Sequence, residues 1–122
     1  MGARNLQFIC YEKCSTCKKA RNWLDEHGVP YEVRPIREQN PTVQELDGWS
    51  QESGLPLRRF FNTSGQLYQA MGLKDKLDGM TRQEQLELLA SDGMLVKRPL
   101  LVGDGVVLVG FRPEQWDQAL NG

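Results

Sequence analysis

The sequence has almost no excess charge, a single histidine, only three cysteines and no long hydrophobic run. Its 15 Lys and Arg against 16 Asp and Glu give a net charge of −1, so it lacks the basic excess typical of a nucleic-acid-binding domain. No apolar stretch approaches the ~18 residues of a membrane span, and the first residues lack the apolar segment of a signal peptide. We therefore expect a cytoplasmic protein that neither enters a membrane nor binds nucleic acid directly.

The length and composition are those of one globular domain. With 122 residues, 39% hydrophobic and 25% charged, the chain is too apolar to be disordered. A chain of this size buries roughly two-thirds of its unfolded surface, which is enough for one core. We therefore predict that residues 1–122 form a single domain.

Patterns along the chain predict an α/β fold. Residues 6–10 and 31–36 are strand-like, and residues 15–28 have helical spacing and end in glycine, so together they form a βαβ unit with parallel strands. Residues 99–102 and 106–109 flank a Gly-Asp-Gly turn and predict an antiparallel hairpin, and Pro113 begins a last helix.

The middle of the chain is predicted to be helical. Thr42 and Thr81 each begin a capping box, because a glutamate follows three residues later, and the two helices should end near Gly54 and Gly93. Shorter helical turns are expected in residues 56–61 and 66–71. The complete prediction is a mixed four-stranded sheet with helices on its faces, a thioredoxin-like arrangement with a helical insertion.

The three cysteines lie within eight positions of one another, which excludes a secreted disulfide scaffold. Cys14 and Cys17 form a C-x-x-C at the junction of the first strand and the first helix. Backbone N–H groups and the helix dipole favour a thiolate there, and Lys13, Lys18 and Lys19 add positive charge. We predict that Cys14 is the attacking thiol and Cys17 the resolving thiol.

Two other interpretations of the cysteines are weaker. Cys10 extends the spacing to one that radical-SAM enzymes use for an iron–sulfur cluster, but those enzymes need a barrel of roughly 200 residues. Zinc would require a fourth ligand, and His27 lies a helix length from Cys14. We therefore predict no metal and no cofactor, and a core position for Cys10. The alternative to a redox pair is that Cys14 and Cys17 are two buried structural cysteines with no chemical role.

Two Arg-Pro pairs accompany the cysteine motif. In a thioredoxin-like sheet, the proline at the start of the third strand is commonly cis and lies beside the reactive cysteine, so the Arg98–Pro99 bond is expected to be cis. Alone, Arg98 and Arg112 would be ordinary surface residues. Together with the cysteines they predict a pocket that stabilises an oxyanion or a thiolate, because guanidinium groups bind such anions.

The chain resembles the ArsC family, which includes glutaredoxin-dependent arsenate reductases and the Spx/MgsR transcriptional regulators. The resemblance covers residues 6–120, and residues 11–20, 72–76, 95–100 and 109–114 carry it. It implies that Cys14 is the nucleophile and that Arg98 and Arg112 are two of three oxyanion-binding arginines. The third arginine aligns with Asn62, and those reductases have no second cysteine at position 17.

Both departures favour disulfide chemistry over arsenate reduction. The first hypothesis is a thiol-dependent oxidoreductase that reacts with glutathione, glutaredoxin or the thioredoxin system. The second is a redox-sensing regulator, because Spx-like proteins keep the C-x-x-C as a switch and bind RNA polymerase, in which case the α subunit is the expected partner. Arsenate reduction is the third hypothesis.

Overall fold

A computed structural model describes residues 5–121 of the chain. The chain divides into two compact units. Residues Ile36–Lys97 form one unit, and the described residues on either side of that segment form the other. The second of these units contains the sheet and the cysteine motif, whereas the first is helical.

The sheet has four strands and is mixed, as the sequence predicted. The strands are β1 (Gln7–Cys10), β2 (Glu32–Pro35), β3 (Leu100–Gly103) and β4 (Val106–Val109). Their order is β2-β1-β3-β4, with β1 parallel to β2 and antiparallel to β3, and β3 antiparallel to β4. The central strands are buried, because Phe8, Ile9, Leu100 and Leu101 are fully inaccessible to solvent.

The hairpin between β3 and β4 turns at Asp104 and Gly105. Both residues have positive φ, 45° and 81°, the sign that a type I′ turn requires at its two central positions. The preceding Gly103 passes so close to Asn5 that a Cβ would lie 2.0 Å from the Asn5 carbonyl oxygen. The Gly-Asp-Gly sequence therefore fits both the turn and this backbone approach.

Six α-helices are described: α1 (Ser15–Glu26), α2 (Val43–Ser53), α3 (Gln66–Ala70), α4 (Leu73–Lys76), α5 (Arg82–Ser91) and α6 (Pro113–Asn121). Three short 3₁₀ turns occupy Leu57–Phe60, Leu77–Gly79 and Gly93–Leu95. None of the helices in the described part of the chain is long and apolar enough to cross a membrane.

Helices α1 and α6 share one core with the sheet. Ala20 and Leu24 of α1 and Trp116 of α6 are fully buried in it, beside Phe8 and Leu101. The Trp116 indole N–H donates to the Gly110 carbonyl at 3.0 Å. This bond fixes the loop that leads from β4 into α6.

The helical unit confirms both capping boxes. The hydroxyls of Thr42 and Thr81 accept from the backbone N–H groups of Glu45 and Glu84, and each glutamate accepts from the threonine N–H in return. Helix α2 ends at Ser53 and is capped by Gly54, near the predicted end. Helix α5 ends at Ser91, before the 3₁₀ turn that begins at Gly93.

Candidate functional site

A tight turn brings Cys14 to the start of α1. The Cys14 N–H donates to the Tyr11 carbonyl at 3.0 Å, which closes the turn after β1. Cys14 itself keeps an extended backbone conformation (φ −91°, ψ 121°) and forms the N-cap of α1. The Cys14 side chain thus lies at the end of the helix where backbone N–H groups are free and the dipole is positive.

The three cysteines differ in exposure. Cys14 is half-buried, whereas Cys17 and Cys10 retain only 3% and 8% of their exposure. Cys17 lies on the inner face of the first turn of α1, and Cys10 is the last residue of β1. Of these thiols, Cys14 is the one that a substrate can reach most easily.

The surroundings of Cys14 favour its thiolate. Burial raises the pKa of this thiol, but hydrogen bonds from the Cys17 backbone N–H and thiol, the charge of Arg98 and the Thr16 N–H outweigh burial and lower the pKa. Hydrogen-bond donors and a cation around a thiol stabilise its charged form, as expected at a helix N-terminus.

Cys17 is held as a protonated thiol. Burial raises the pKa of Cys17 to about 12, and the neighbouring Cys14 and Cys10 thiols contribute in the same direction. The Tyr11 backbone N–H, which donates to the Cys17 sulfur at 3.4 Å, opposes this shift. Burial likewise raises the pKa of Cys10. The site thus contains one thiol that ionises easily, Cys14, and two that do not, Cys17 and Cys10.

Arg98 forms one side of the site. Its guanidinium carbon lies 5.2 Å from the centre of the Tyr11 ring. The Nε and Nη1 atoms are buried and have no hydrogen-bond partner among the described residues. The Arg98–Pro99 bond is cis, the isomer expected from the sequence, and the Pro99 carbonyl accepts from the Gly110 N–H at 2.9 Å.

Tyr11 belongs to the candidate site, although no pattern in the sequence indicates it. Tyr11 contacts Cys14 through its carbonyl, Cys17 through its N–H and Arg98 through its ring. Its backbone roles depend on the turn rather than on the residue type, and its ring contacts a residue far away in the sequence. An aromatic residue directly after a buried strand is too common to signal such a role.

Arg112, the second arginine of the predicted pocket, lies directly before α6. It is exposed at the start of α6, and its carbonyl accepts from the Trp116 N–H at 2.9 Å. It lines an open cavity of about 570 Å³ together with Phe111, Pro113, Glu114, Gln115 and Gln118. Cys14 is not part of this lining.

A reactive thiolate beside a protonated thiol supports two-step disulfide exchange. A group of three or more His, Cys, Asp or Glu side chains placed to hold a metal ion is absent from residues 5–121. The chemical groups that the structure gathers at the start of α1 are the two thiols, with Arg98 as the neighbouring cation.

Comparison with known proteins relates the chain to a single family. The ArsC family model matches residues 10–119. A crystal structure of a putative ArsC family related protein from Bacteroides fragilis is 50% identical, with a TM-score of 0.92 over 97% of this chain and 99% of that one.

Relatives with curated names span several functions. YusI of Bacillus subtilis, named as uncharacterized, is 50% identical over 93% of this chain and 97% of its own length. The regulatory protein MgsR of the same organism is 28% identical over 90% of this chain and 86% of its own length. Other relatives are named as global transcriptional regulators or as arsenate reductases.

Proposed function

Because the chain belongs to the ArsC family, we propose that it is a thiol–disulfide redox protein in which Cys14 attacks and Cys17 resolves. The observation that carries this proposal is the contact between the two thiols at the start of α1, combined with opposite shifts of their pKa values. A thiol that ionises easily is the better attacking group at neutral pH, and a shielded neighbour is suited to the second step.

In the first step, the Cys14 thiolate attacks one sulfur of a substrate disulfide. A bond forms between the Cys14 Sγ and that sulfur, the substrate S–S bond breaks, and the other substrate sulfur leaves as a thiolate that takes up a proton. Arg98 is the cation that favours the reactive form of Cys14 before attack.

In the second step, Cys17 attacks the Cys14 sulfur of the mixed disulfide. The Cys17 proton goes to solvent, a Cys14–Cys17 bond forms, and the second substrate sulfur leaves as a thiolate. Formation of the mixed disulfide removes the Cys14 thiolate, which had helped to keep Cys17 protonated, while the Tyr11 N–H remains to stabilise a Cys17 thiolate. The first step thus facilitates the second.

The cycle transfers two electrons from the protein to the substrate and leaves an oxidised Cys14–Cys17 pair. A dithiol or thiol reductant must reduce this pair before another turnover. We propose glutathione, glutaredoxin or the thioredoxin system as the source, because each provides a thiolate that could attack an exposed disulfide sulfur.

Trapping the mixed disulfide tests the proposal. The Cys17→Ser variant, incubated with oxidised glutathione, should accumulate one glutathione adduct on Cys14, because the resolving thiol is gone. The Cys14→Ser variant should form no adduct and show no turnover. Intact-protein mass spectrometry and peptide mapping identify the modified residue.

Cys10→Ser is the matched control, because it removes the other buried thiol and leaves the pair intact. It should still form the Cys14–Cys17 disulfide on mild oxidation. A Cys10–Cys14 bridge in the wild type, or equal alkylation rates at all three thiols, would refute the assigned roles.

A redox-sensing regulator is the second candidate, because MgsR is a relative over 90% of this chain. In that case, the same Cys14–Cys17 pair is a switch, and the partner is the C-terminal domain of the RNA polymerase α subunit. Purified protein should then bind that domain with an affinity that differs between the reduced and oxidised states. Steady turnover of a disulfide without such binding would favour the enzyme.

Arsenate reduction is the weaker enzymatic alternative. The sequence resemblance to arsenate reductases aligns the third arginine of their oxyanion-binding set with Asn62, and it implies that those reductases have no cysteine at position 17. With two cations in place of three, oxyanion binding is weaker. We therefore propose that arsenate is not the main substrate.

A further inference from the structure

We propose that Tyr11 is a positioning residue for the thiol site: its aromatic ring holds the Arg98 guanidinium beside Cys14. The importance of this role for catalysis rests on the proposed function. It concerns a side chain of the turn that precedes the C-x-x-C, outside the motif itself.

The geometry connects Tyr11 to each of the groups that the chemistry uses. Its carbonyl accepts from the Cys14 N–H at 3.0 Å, and its own N–H donates to the Cys17 sulfur at 3.4 Å. Its ring lies 5.2 Å from the Arg98 guanidinium carbon. The two backbone contacts do not involve the side chain, so we expect a substitution to isolate the contact between the ring and Arg98.

The ring matters because Arg98 has few other restraints. Its Nε and Nη1 atoms are buried without a hydrogen-bond partner among the residues described. Unpaired buried donors cost free energy, and this cost opposes the buried position of the guanidinium. A cation over an aromatic face gains electrostatic attraction that an aliphatic side chain cannot supply. Without the ring, a flexible arginine side chain is expected to turn toward water, where its donors are satisfied.

Displacement of Arg98 would make the Cys14 thiolate less favourable. Arg98 is one of the groups that lower the pKa of Cys14, together with the Cys17 thiol and the N–H groups of Cys17 and Thr16. Ionisable neighbours along the chain include the Cys10 thiol, whose own pKa responds to Cys14, and the exposed side chains of Glu12, Lys13 and Lys18. A Tyr11 substitution leaves all of these in place.

Alkylation of Cys14 by iodoacetamide, followed by peptide mass spectrometry as a function of pH, tests the inference. Tyr11→Leu retains apolar bulk without an aromatic face. We expect it to slow Cys14 alkylation at pH 7 by about three- to tenfold and to move the midpoint of the pH profile upward. Tyr11→Phe should retain the wild-type profile, because the hydroxyl has no part in the contact.

A double-mutant cycle separates positioning through Arg98 from a direct effect of the ring. Arg98→Met should slow alkylation, and Tyr11→Leu should add almost nothing in that background. Tyr31→Leu is the matched control, because Tyr31 belongs to the same unit but packs against Phe8 and bonds Asp25. It should leave the Cys14 profile unchanged.

Several results would overturn the inference: an unchanged or downward-shifted profile in Tyr11→Leu, the loss of reactivity in Tyr11→Phe as well, or full additivity with Arg98→Met. Circular dichroism of each variant shows whether it is folded, and Tyr11→Met replaces Tyr11→Leu if that variant is not. Alkylation needs no disulfide substrate. A shifted profile in a protein without disulfide turnover would therefore refute the proposed function alone, and turnover with an unshifted profile would refute the positioning role alone.

Discussion

Trp116→Phe should destabilise the protein by ~2–4 kcal/mol, although it is a conservative aromatic change. Trp116 is fully buried, and its indole N–H donates to the Gly110 carbonyl. Its ring packs edge-to-face against Trp23 and Phe111, with distances of 6.1 and 5.0 Å between ring centroids. Phenylalanine retains an aromatic ring but removes this donor, and an unpaired buried acceptor costs ~1–3 kcal/mol. The smaller ring adds roughly 1 kcal/mol for lost packing.

Urea denaturation followed by far-ultraviolet circular dichroism measures the change, since this signal does not depend on tryptophan fluorescence. Trp49→Phe is the control, because Trp49 lies half-buried in α2 of the other unit. It should cost less than ~1 kcal/mol. A Trp116→Phe variant as stable as the control would show that the bond to Gly110 does not contribute as argued, and that the loop before α6 is held by other contacts.

Much of the fold could be predicted because the local signals agree with one another. The Asp104-Gly105 turn fixes one hairpin, and the two capping boxes fix the starts of α2 and α5. The predicted and observed strand ends differ by about one residue. The sequence predicts a strand that begins at Tyr31, whereas β2 begins at Glu32. The terminal residues of a strand depend on how it is paired with its neighbour rather than on their own side chains.

Helix α4 and the 3₁₀ turn after it had no such signal. They contain four and three residues, so neither is long enough to show a repeating apolar pattern. Their buried side chains are Leu73 and Leu77, whose spacing of four is also found in many loops. Only packing in the folded unit makes these residues helical.

The residues of the candidate site likewise divide into those with a local sequence signal and those without one. Cys14 and Cys17 could be found because a C-x-x-C at a strand–helix junction has a local physical meaning. The three flanking lysines suggested a source of positive charge, but they are exposed. Arg98 acts on Cys14 from the start of the third strand, and its contact with Tyr11 depends on the antiparallel pairing of β1 and β3.

Three further results are expected. Cys10→Ser should lower the stability by ~1–2 kcal/mol in urea denaturation, because it buries a hydroxyl, without changing which cysteines pair. Wild-type protein should turn over arsenate poorly with glutaredoxin, and Asn62→Arg should increase the rate; efficient wild-type turnover would contradict this. The reduced protein should also lose stability as the pH rises from about 9 toward about 12. In this range an unfolded Cys17, with its ordinary pKa of 9.0, releases a proton that the folded protein retains up to a pKa of about 12. Proton release from the unfolded chain alone favours unfolding, by at most ~1.4 kcal/mol per pH unit and by less where solvent screens the thiol. Urea midpoints measured across this range should fall more steeply for the wild type than for Cys17→Ala, and parallel profiles would show that Cys17 titrates alike in the two states.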